Sequence, residues 1–371
     1  MEALRAIFNP DLWARVPFEF WALVFFVFGS CVGSFLNVCI HRLPLGMSIV
    51  TPPSHCPHCK YSIPWFLNVP LVTWLALRGK CKNCGAPISV RYFLVELMTG
   101  VAFLGCWVHF GHLSAWLALV YAVLLAGLIA ATFIDFEHFI IPDEITFGGM
   151  AVGFIASFFL PGLHGETTLT GGMTQSLLGI GAGAGVVYFI LRLGKLMFGR
   201  QKLALAEETK IVFSESALHL PDKEISYEDI FYRASDTIVL HARTAELIDR
   251  GYKDVPVRLA LLAKRLEIGD EKVDAESCQH LEVVTSELVL PREAMGLGDV
   301  KFMAAIGAFL GWQAVIFSLM VSSIIGACVG VALIVLRKRE WSSRLPYGPY
   351  IALAAVIWIF GGKRILQMFV P

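Results

Sequence analysis

The sequence predicts a polytopic all-α membrane protein of about seven to eight transmembrane helices, with a cysteine-bearing cytoplasmic loop and a small α+β cytoplasmic insert. Three observations carry that expectation. Hydrophobic residues make up 56% of the 371-residue chain and mean hydropathy is +0.67, too apolar for a soluble chain of this length. The apolar residues gather in runs close to the ~20 that a hydrocarbon core requires. Residues 200–292, in contrast, are rich in charge and hold no such run.

In order, the runs are Phe18–Ile40, Phe93–Phe110, Ala115–Ile134, Ile145–Leu160, Gln175–Met197, Phe302–Leu310, Gln313–Leu336 and Tyr350–Phe360. Val300 to Leu336 is too long for one comfortable helix, and Gly311-Trp312 supplies a turn, so a short half-helix should follow Asp299. The last run is short and can extend past Gly361-Gly362 to Val370. The first run is long enough to stay in the membrane and lacks a small-residue cleavage pattern, so no cleavable signal peptide is expected. Small Gly33 and Ser34 suit close helix packing, as do Gly179, Gly181, Gly183 and Gly185. The glycine series has no lysine and opens no soluble helix, which excludes a phosphate loop. Asn37 and Glu96 are polar within apolar runs and need partners. Cys31, Cys39, Cys106 and Cys328 read as small packing residues.

The zero formal net charge hides an asymmetry. Loop 42–92 carries Arg42, Lys60, Arg78, Lys80, Lys82 and Arg91 against no acid. Loop 337–346 carries Arg337, Lys338, Arg339 and Arg344 against Glu340, while loops 111–114 and 161–174 have no Lys or Arg. The positive-inside rule places the first two in the cytoplasm and the N-terminus outside. Lys363 and Arg364 run against that assignment. The organisation expected is an N-terminal segment with the first span (1–41), the cysteine loop (42–92), spans carrying Asp135 (93–199), the insert (200–292) and the Asp299 segment with the last spans (293–371).

Within the loop, Cys56-Pro-His-Cys59 and Cys81-Lys-Asn-Cys84-Gly85 form two C-x2-C knuckles. Four thiolates in that spacing suit tetrahedral zinc, and Gly85 gives its turn room to wrap a metal. The rival, disulfide or redox pairing, is weakened by the reducing cytoplasm. His55 and His58 are alternative ligands. Four sulfurs close the coordination sphere, so this zinc-knuckle loop reads as scaffold.

Asp299, in Met295-Gly-Leu-Gly-Asp-Val-Lys301, stands ahead of one apolar run, and Asp135 ends another. Carboxylates at a membrane edge are costly unless they pair, face water or do chemistry. Two close carboxylates share one proton, so one can act as base on water while the other donates to a carbonyl. That is aspartic peptide hydrolysis, with Gly296 and Gly298 letting a substrate backbone approach. An ion or proton pathway fits the carboxylates alone equally well, although inverted repeats are not visible. Asp143, after Pro142, reads as a helix N-cap. Glu137 and His138 read as interfacial, with His138 as an alternative proton tuner. Lys301 reads as snorkelling, with electrostatic tuning as the alternative. Arg344-Leu-Pro-Tyr-Gly348-Pro349 is a rigid turn into the last span.

In the insert, Ile211–Leu220, Ile225–Ala242 and Leu281–Leu290 have strand patterning, while Thr244–Arg250 and Val257–Leu266 look helical. No catalytic motif appears there. A docking or stabilising module is expected, with a regulatory site as the alternative, and nothing is assigned to Cys278.

Several stretches together resemble the type IV prepilin peptidases, the bifunctional leader peptidase/N-methyltransferases. They are Gly33-Ser-Phe-Leu-Asn37-Val38, the four-cysteine loop, Arg91-Tyr92 with Val95-Glu96, Phe133-Ile-Asp135 through Ile141-Pro-Asp143, Gly296-Leu-Gly-Asp299-Val-Lys301 and Leu345-Pro-Tyr-Gly-Pro349. They cover most of the chain outside about 200–290. The Gly-x-Gly-Asp element alone is shared with presenilin-like proteases, which leaves such a protease as a second reading. Phe93, where many members have proline, and the long insert depart from the pattern. The resemblance implies a multi-pass protein of the bacterial inner membrane, N-terminus periplasmic and active site facing the cytoplasm. It implies cleavage of a basic leader after a glycine in prepilins and type II secretion pseudopilins. Methylation of the new N-terminus by S-adenosylmethionine would follow. Asp135 and Asp299 match the catalytic pair, and Cys56, Cys59, Cys81 and Cys84 match the cysteine loop. Gly33 is a weak candidate for the methyl-donor site. Membrane lipid and pilus or type II secretion components are further expected partners; nucleic acid is not.

Overall fold

The computed structural model describes residues 16–198, 200–214, 216–221, 223–227, 230–231, 236–247, 250–274, 280–291, 296–336, 345–362, 364–365 and 367. The basic loop 337–344, Cys278, Lys363 and Val370 lie outside the described residues. The chain forms two compact units, one of Met1–Tyr188 with Gly296–Pro371 and one of Phe189–Met295.

The first unit is helical: α1 (Phe18–Arg42), α2 (Val72–Ala76), α3 (Val90–Phe110), α4 (Ala115–His138), α5 (Asp143–Phe159), α6 (Leu169–Phe198), α7 (Leu297–Leu310), α8 (Trp312–Val335) and α9 (Gly348–Ile357). Among the described residues, five stretches are long and apolar enough to cross a membrane: Phe18–Leu45, Val90–Phe110, Ala115–His138, Leu169–Gly194 and Trp312–Val335. Their outward faces carry Leu23, Phe28, Leu178, Met320, Ile324 and Val331 in exposed positions. An apolar surface this dense is stable only against hydrocarbon, and the protein is a membrane protein.

Small residues bring the helices together. A side chain at Gly29 would meet Phe103, and one at Gly33 would lie 2.7 Å from the Glu96 Cα, so α1 presses on α3 through two glycines one turn apart. The glycine series of α6 splits by face. Gly179 and Gly183 abut the backbone of α7 at Gly307 and Met303, whereas Gly181 and Gly185 have open space. Gly311, at φ +81, breaks the long apolar stretch into α7 and α8. Eleven of the fourteen residues of α7 are buried, so this half-helix is a core element. Its burial explains a weak amphipathic signal. Cys39 and Cys106 are buried packing residues as expected, but Cys31 and Cys328 are exposed: they lie on outward faces, where a thiol behaves as one more small apolar group.

The second unit contains an eight-stranded antiparallel sheet, β1 (Arg200–Phe213), β2 (Ala217–Leu220), β3 (Lys223–Ser226), β4 (Ile238–Leu247), β5 (Arg250–Ala260), β6 (Arg265–Ile268), β7 (Glu271–Asp274) and β8 (Leu281–Pro291). Their order is β3-β2-β1-β8-β4-β5-β6-β7. Ile211, Leu218, Leu240, Val257, Leu266 and Leu288 contribute to one buried cluster. The helices expected at Thr244–Arg250 and Val257–Leu266 are not formed. Thr244–Leu247 belongs to β4, Arg250 opens β5, and Val257–Leu266 runs from β5 through a short 3-10 turn into β6. Ala, Glu and Leu favour helix intrinsically. Here β4 is flanked by β5 and β8, and packing on both edges overrides propensity. The expected strand Ile225–Ala242 is likewise two strands, β3 and β4.

Candidate active site

Asp135 lies in the last turn of α4 and Asp299 in the first turn of α7, and both are buried. Each accepts a backbone hydrogen bond from a glycine. The Gly348 N–H donates to Asp135 Oδ2 at 2.8 Å, and the Gly296 N–H donates to Asp299 Oδ2 at 3.1 Å. Ile141, between α4 and α5, ties the two positions together. Its side chain lies 3.4 Å from where a Cβ on Gly298 would sit and 3.2 Å from where one on Gly348 would sit. The glycine before Asp299 and the glycine that holds Asp135 therefore flank one isoleucine, and the two carboxylates lie within electrostatic range of each other. Gly298 is thus packed against Ile141, and Gly296 is a hydrogen-bond donor; neither was expected in that role.

The acids around the pair are sorted by their partners. Asp143 does not cap α5. Pro142 holds the cap position with extended backbone, and no side chain caps the helix. Asp143 is already helical there, and its carboxylate pairs with Lys301 Nζ at 2.5 Å. Lys301 also lies over the Phe147 ring. The lysine thus bridges α7 to the start of α5 instead of only reaching outward. Glu137 pairs with Arg91 at the start of α3, and His138 is exposed.

Cys56, Cys59, Cys81 and Cys84 form a second cluster, with all four sulfurs within 4.8 Å of one another. Cys56–Cys84 and Cys59–Cys81 are 3.8 Å and 4.0 Å apart. Disulfides need about 2.05 Å, whereas sulfurs ~2.3 Å from a tetrahedral ion stand ~3.8 Å apart. The two knuckles are built alike. Lys60 N–H bonds the Cys56 carbonyl and Gly85 N–H the Cys81 carbonyl, and both residues have positive φ, 58 and 72. The Asn83 amide donates to Cys59 Sγ, and this bond with others lowers the Cys59 thiol to about 6. Backbone N–H groups of Cys84 and Asn83 lower Cys81 likewise. Such donors favour the thiolate, the form a metal requires, at Cys59 and Cys81; at Cys84 the Ala86 N–H is outweighed by burial and the neighbouring sulfurs, which push that thiol up to about 11. The donor set fits zinc, and His55 and His58 are not needed to complete it.

Between loop and helices, Glu96 accepts the Leu71 N–H at 2.7 Å. Asn37 donates to the Tyr92 carbonyl at 3.0 Å, and Arg42 to the carbonyls of Ser48 and Pro52. The polar residues that the apolar runs left unpaired thus fasten α1, α3 and the cysteine loop to one another. Gly33 sits inside the α1–α3 contact with Glu96, Val95 and Thr99 around it.

Two family models match the sequence: the bacterial peptidase A24 N-terminal domain over residues 27–110 and the type IV leader peptidase family over 122–206 and 280–331. The second match skips a stretch within the insert. Among similar proteins, a prepilin leader peptidase/N-methyltransferase of Aeromonas hydrophila is 28% identical across 95% of this chain and 95% of its own length. One of Pseudomonas aeruginosa is 28% identical across 97% and 96%. One of Myxococcus xanthus is 49% identical over 138 residues, 37% of this chain and 41% of its own. No solved structure matches.

Proposed function

The chain belongs to the type IV leader peptidase family, and on that footing we propose that it cleaves the basic leader from type IV prepilins and type II secretion pseudopilins. Cleavage follows a glycine, at the cytoplasmic face of the bacterial inner membrane. It then methylates the new N-terminus with S-adenosylmethionine as donor. The observation that carries the peptidase reading is the pair of buried aspartates, each held by a glycine N–H, with Ile141 packed between Gly298 and Gly348 beside them.

In the proposed reaction one aspartate, ionised, takes a proton from a water as that water attacks the scissile carbonyl carbon. The other, protonated, gives its proton to the carbonyl oxygen, yielding a gem-diol. Collapse passes the first aspartate's new proton to the departing amine nitrogen, and the second recovers one from the gem-diol. Burial of both side chains keeps bulk water from screening these transfers. Cys56, Cys59, Cys81 and Cys84 hold a structural zinc. Methyl transfer needs an electrophilic methyl, which S-adenosylmethionine supplies when bound. Gly33 packs in the α1–α3 contact and stays a weak candidate for its site; no other residue is assigned to hold it. Seven to eight spans, a periplasmic N-terminus and a cytoplasmic loop 42–92 follow from the apolar runs and loop charges. Other proteins of pilus or type II secretion assembly are proposed partners.

The test uses a prepilin and membranes holding Asp135→Asn or Asp299→Asn. Each variant should accumulate normally and lose leader cleavage by at least about a hundredfold. Unimpaired cleavage by either one sinks the aspartate assignment.

A further inference from the structure

The hydrogen bond that holds Asp135 comes from a glycine 213 residues away in the chain, beyond the residues that match the family model. Gly348 has no freedom to be another residue. A Cβ there would stand 2.8 Å from Asp135 Oδ2 and 3.2 Å from Ile141. Its neighbour Tyr347 is anchored. The phenol oxygen is 2.9 Å from Ser322 Oγ and 3.0 Å from Ser323 Oγ, both on α8. Each serine also donates to the Leu319 carbonyl, which leaves the single phenol proton to be donated to one of the two serine oxygens. Gly326, one turn on, leaves the Tyr347 and Tyr350 rings room against α8. Pro349 fixes the following backbone angle at the first turn of α9.

We propose that Tyr347 and Gly348 form a brace that sets which oxygen of Asp135 reacts, an inference that rests on the aspartate reading above. The chain of contacts runs from the α8 serines to the Tyr347 hydroxyl, along one peptide to the Gly348 N–H, and onto Oδ2. Oδ2 is thereby occupied. Oδ1 of Asp135 accepts no hydrogen bond among the described residues, and the same holds for Asp299, whose Oδ2 takes the Gly296 N–H. Both carboxylates are thus held by Oδ2, and the two Oδ1 atoms are left to meet the water and the substrate carbonyl. Tyr347 and Gly348 are positioning residues: they act through Asp135 and need touch no substrate.

The experiment measures kcat and KM for a synthetic prepilin peptide, using the purified full-length protein in lipid nanodiscs. Tyr347→Phe removes only the hydroxyl. It should lower kcat about three- to tenfold with KM unchanged. Ser322→Ala/Ser323→Ala should do the same, and adding it to Tyr347→Phe should cost nothing further, because both break one contact. Gly348→Ala should lower kcat about a hundredfold by displacing the carboxylate; should it fail to fold, the Tyr347 and serine variants decide. A Tyr347→Phe enzyme with kcat within twofold of the unaltered protein overturns the brace, as does a loss that appears in KM alone. Cleavage by the unaltered protein is measured in parallel, so its absence would overturn the peptidase reading separately.

Discussion

Asp135 and Asp299 stand at the ends of apolar runs, where a carboxylate without a partner or water is still costly, and that cost is why they are visible in the amino-acid sequence. Their supports are not. Gly348 offers only a backbone N–H, which every residue but proline possesses, and nothing in its neighbours points to a helix end 213 residues earlier. Asp143 shows the opposite failure. An acid after a proline at a helix start has the pattern of a cap, yet Pro142 takes the cap position and frees Asp143 for Lys301. The pair is half-exposed, with 34% and 59% of the side chains accessible. Its loss should therefore cost under about 1 kcal/mol of stability, small beside its effect on where α7 begins. Lys301→Met and Asp143→Asn should each lower kcat for leader cleavage by about two- to fivefold with thermal melting little changed. The exchange Asp143→Lys/Lys301→Asp should recover part of that loss. A silent Lys301→Met in the same assay would show that the bridge does not position the site.

At the scale of elements, residue composition identified helices well and their orientation poorly. The four α6 glycines look equivalent in sequence, but only Gly179 and Gly183, spaced four apart, meet α7. A helix displays one face per 3.6 residues, so alternation was not the signal; the partner's location was. Strand and helix were confused in the insert because Ala-Glu-Leu is a helical tripeptide by propensity and a strand segment once flanked by two strands. The cysteine knuckles were legible because their spacing is local and of the kind a tetrahedral metal site needs, and the sulfurs do converge. Purified protein should carry about one equivalent of zinc per chain, measured by elemental analysis. Cys59→Ser should lower that content and increase protease sensitivity of the 42–92 loop. Less than about half an equivalent, with thiols unoxidised, would argue against the site.

For the whole molecule, the charge-rich stretch marked a separate unit, and the structure supplies the reason it can be one. Its first and last strands pair directly, Arg200 opposite Pro291, so the insert leaves and returns at neighbouring points, a geometry that tolerates insertion. Its buried core, seventeen of the described residues, is drawn from within the insert itself. Replacing 200–291 by a short Gly/Ser linker should leave leader cleavage in membranes within about threefold, as a docking or stabilising role predicts. Complete loss with normal accumulation and zinc content would instead make the insert part of catalysis. The sequence by itself determined the membrane class and singled out the cysteine knuckles and the two aspartates as candidates, because transfer cost and metal-ligand spacing act on residue type and short spacing. The tertiary structure alone decided that the half-helix after Asp299 is buried, that one continuous sheet runs through the insert and that Gly348 holds Asp135. Each of those depends on which backbone lies beside which, and residue type carries no record of that.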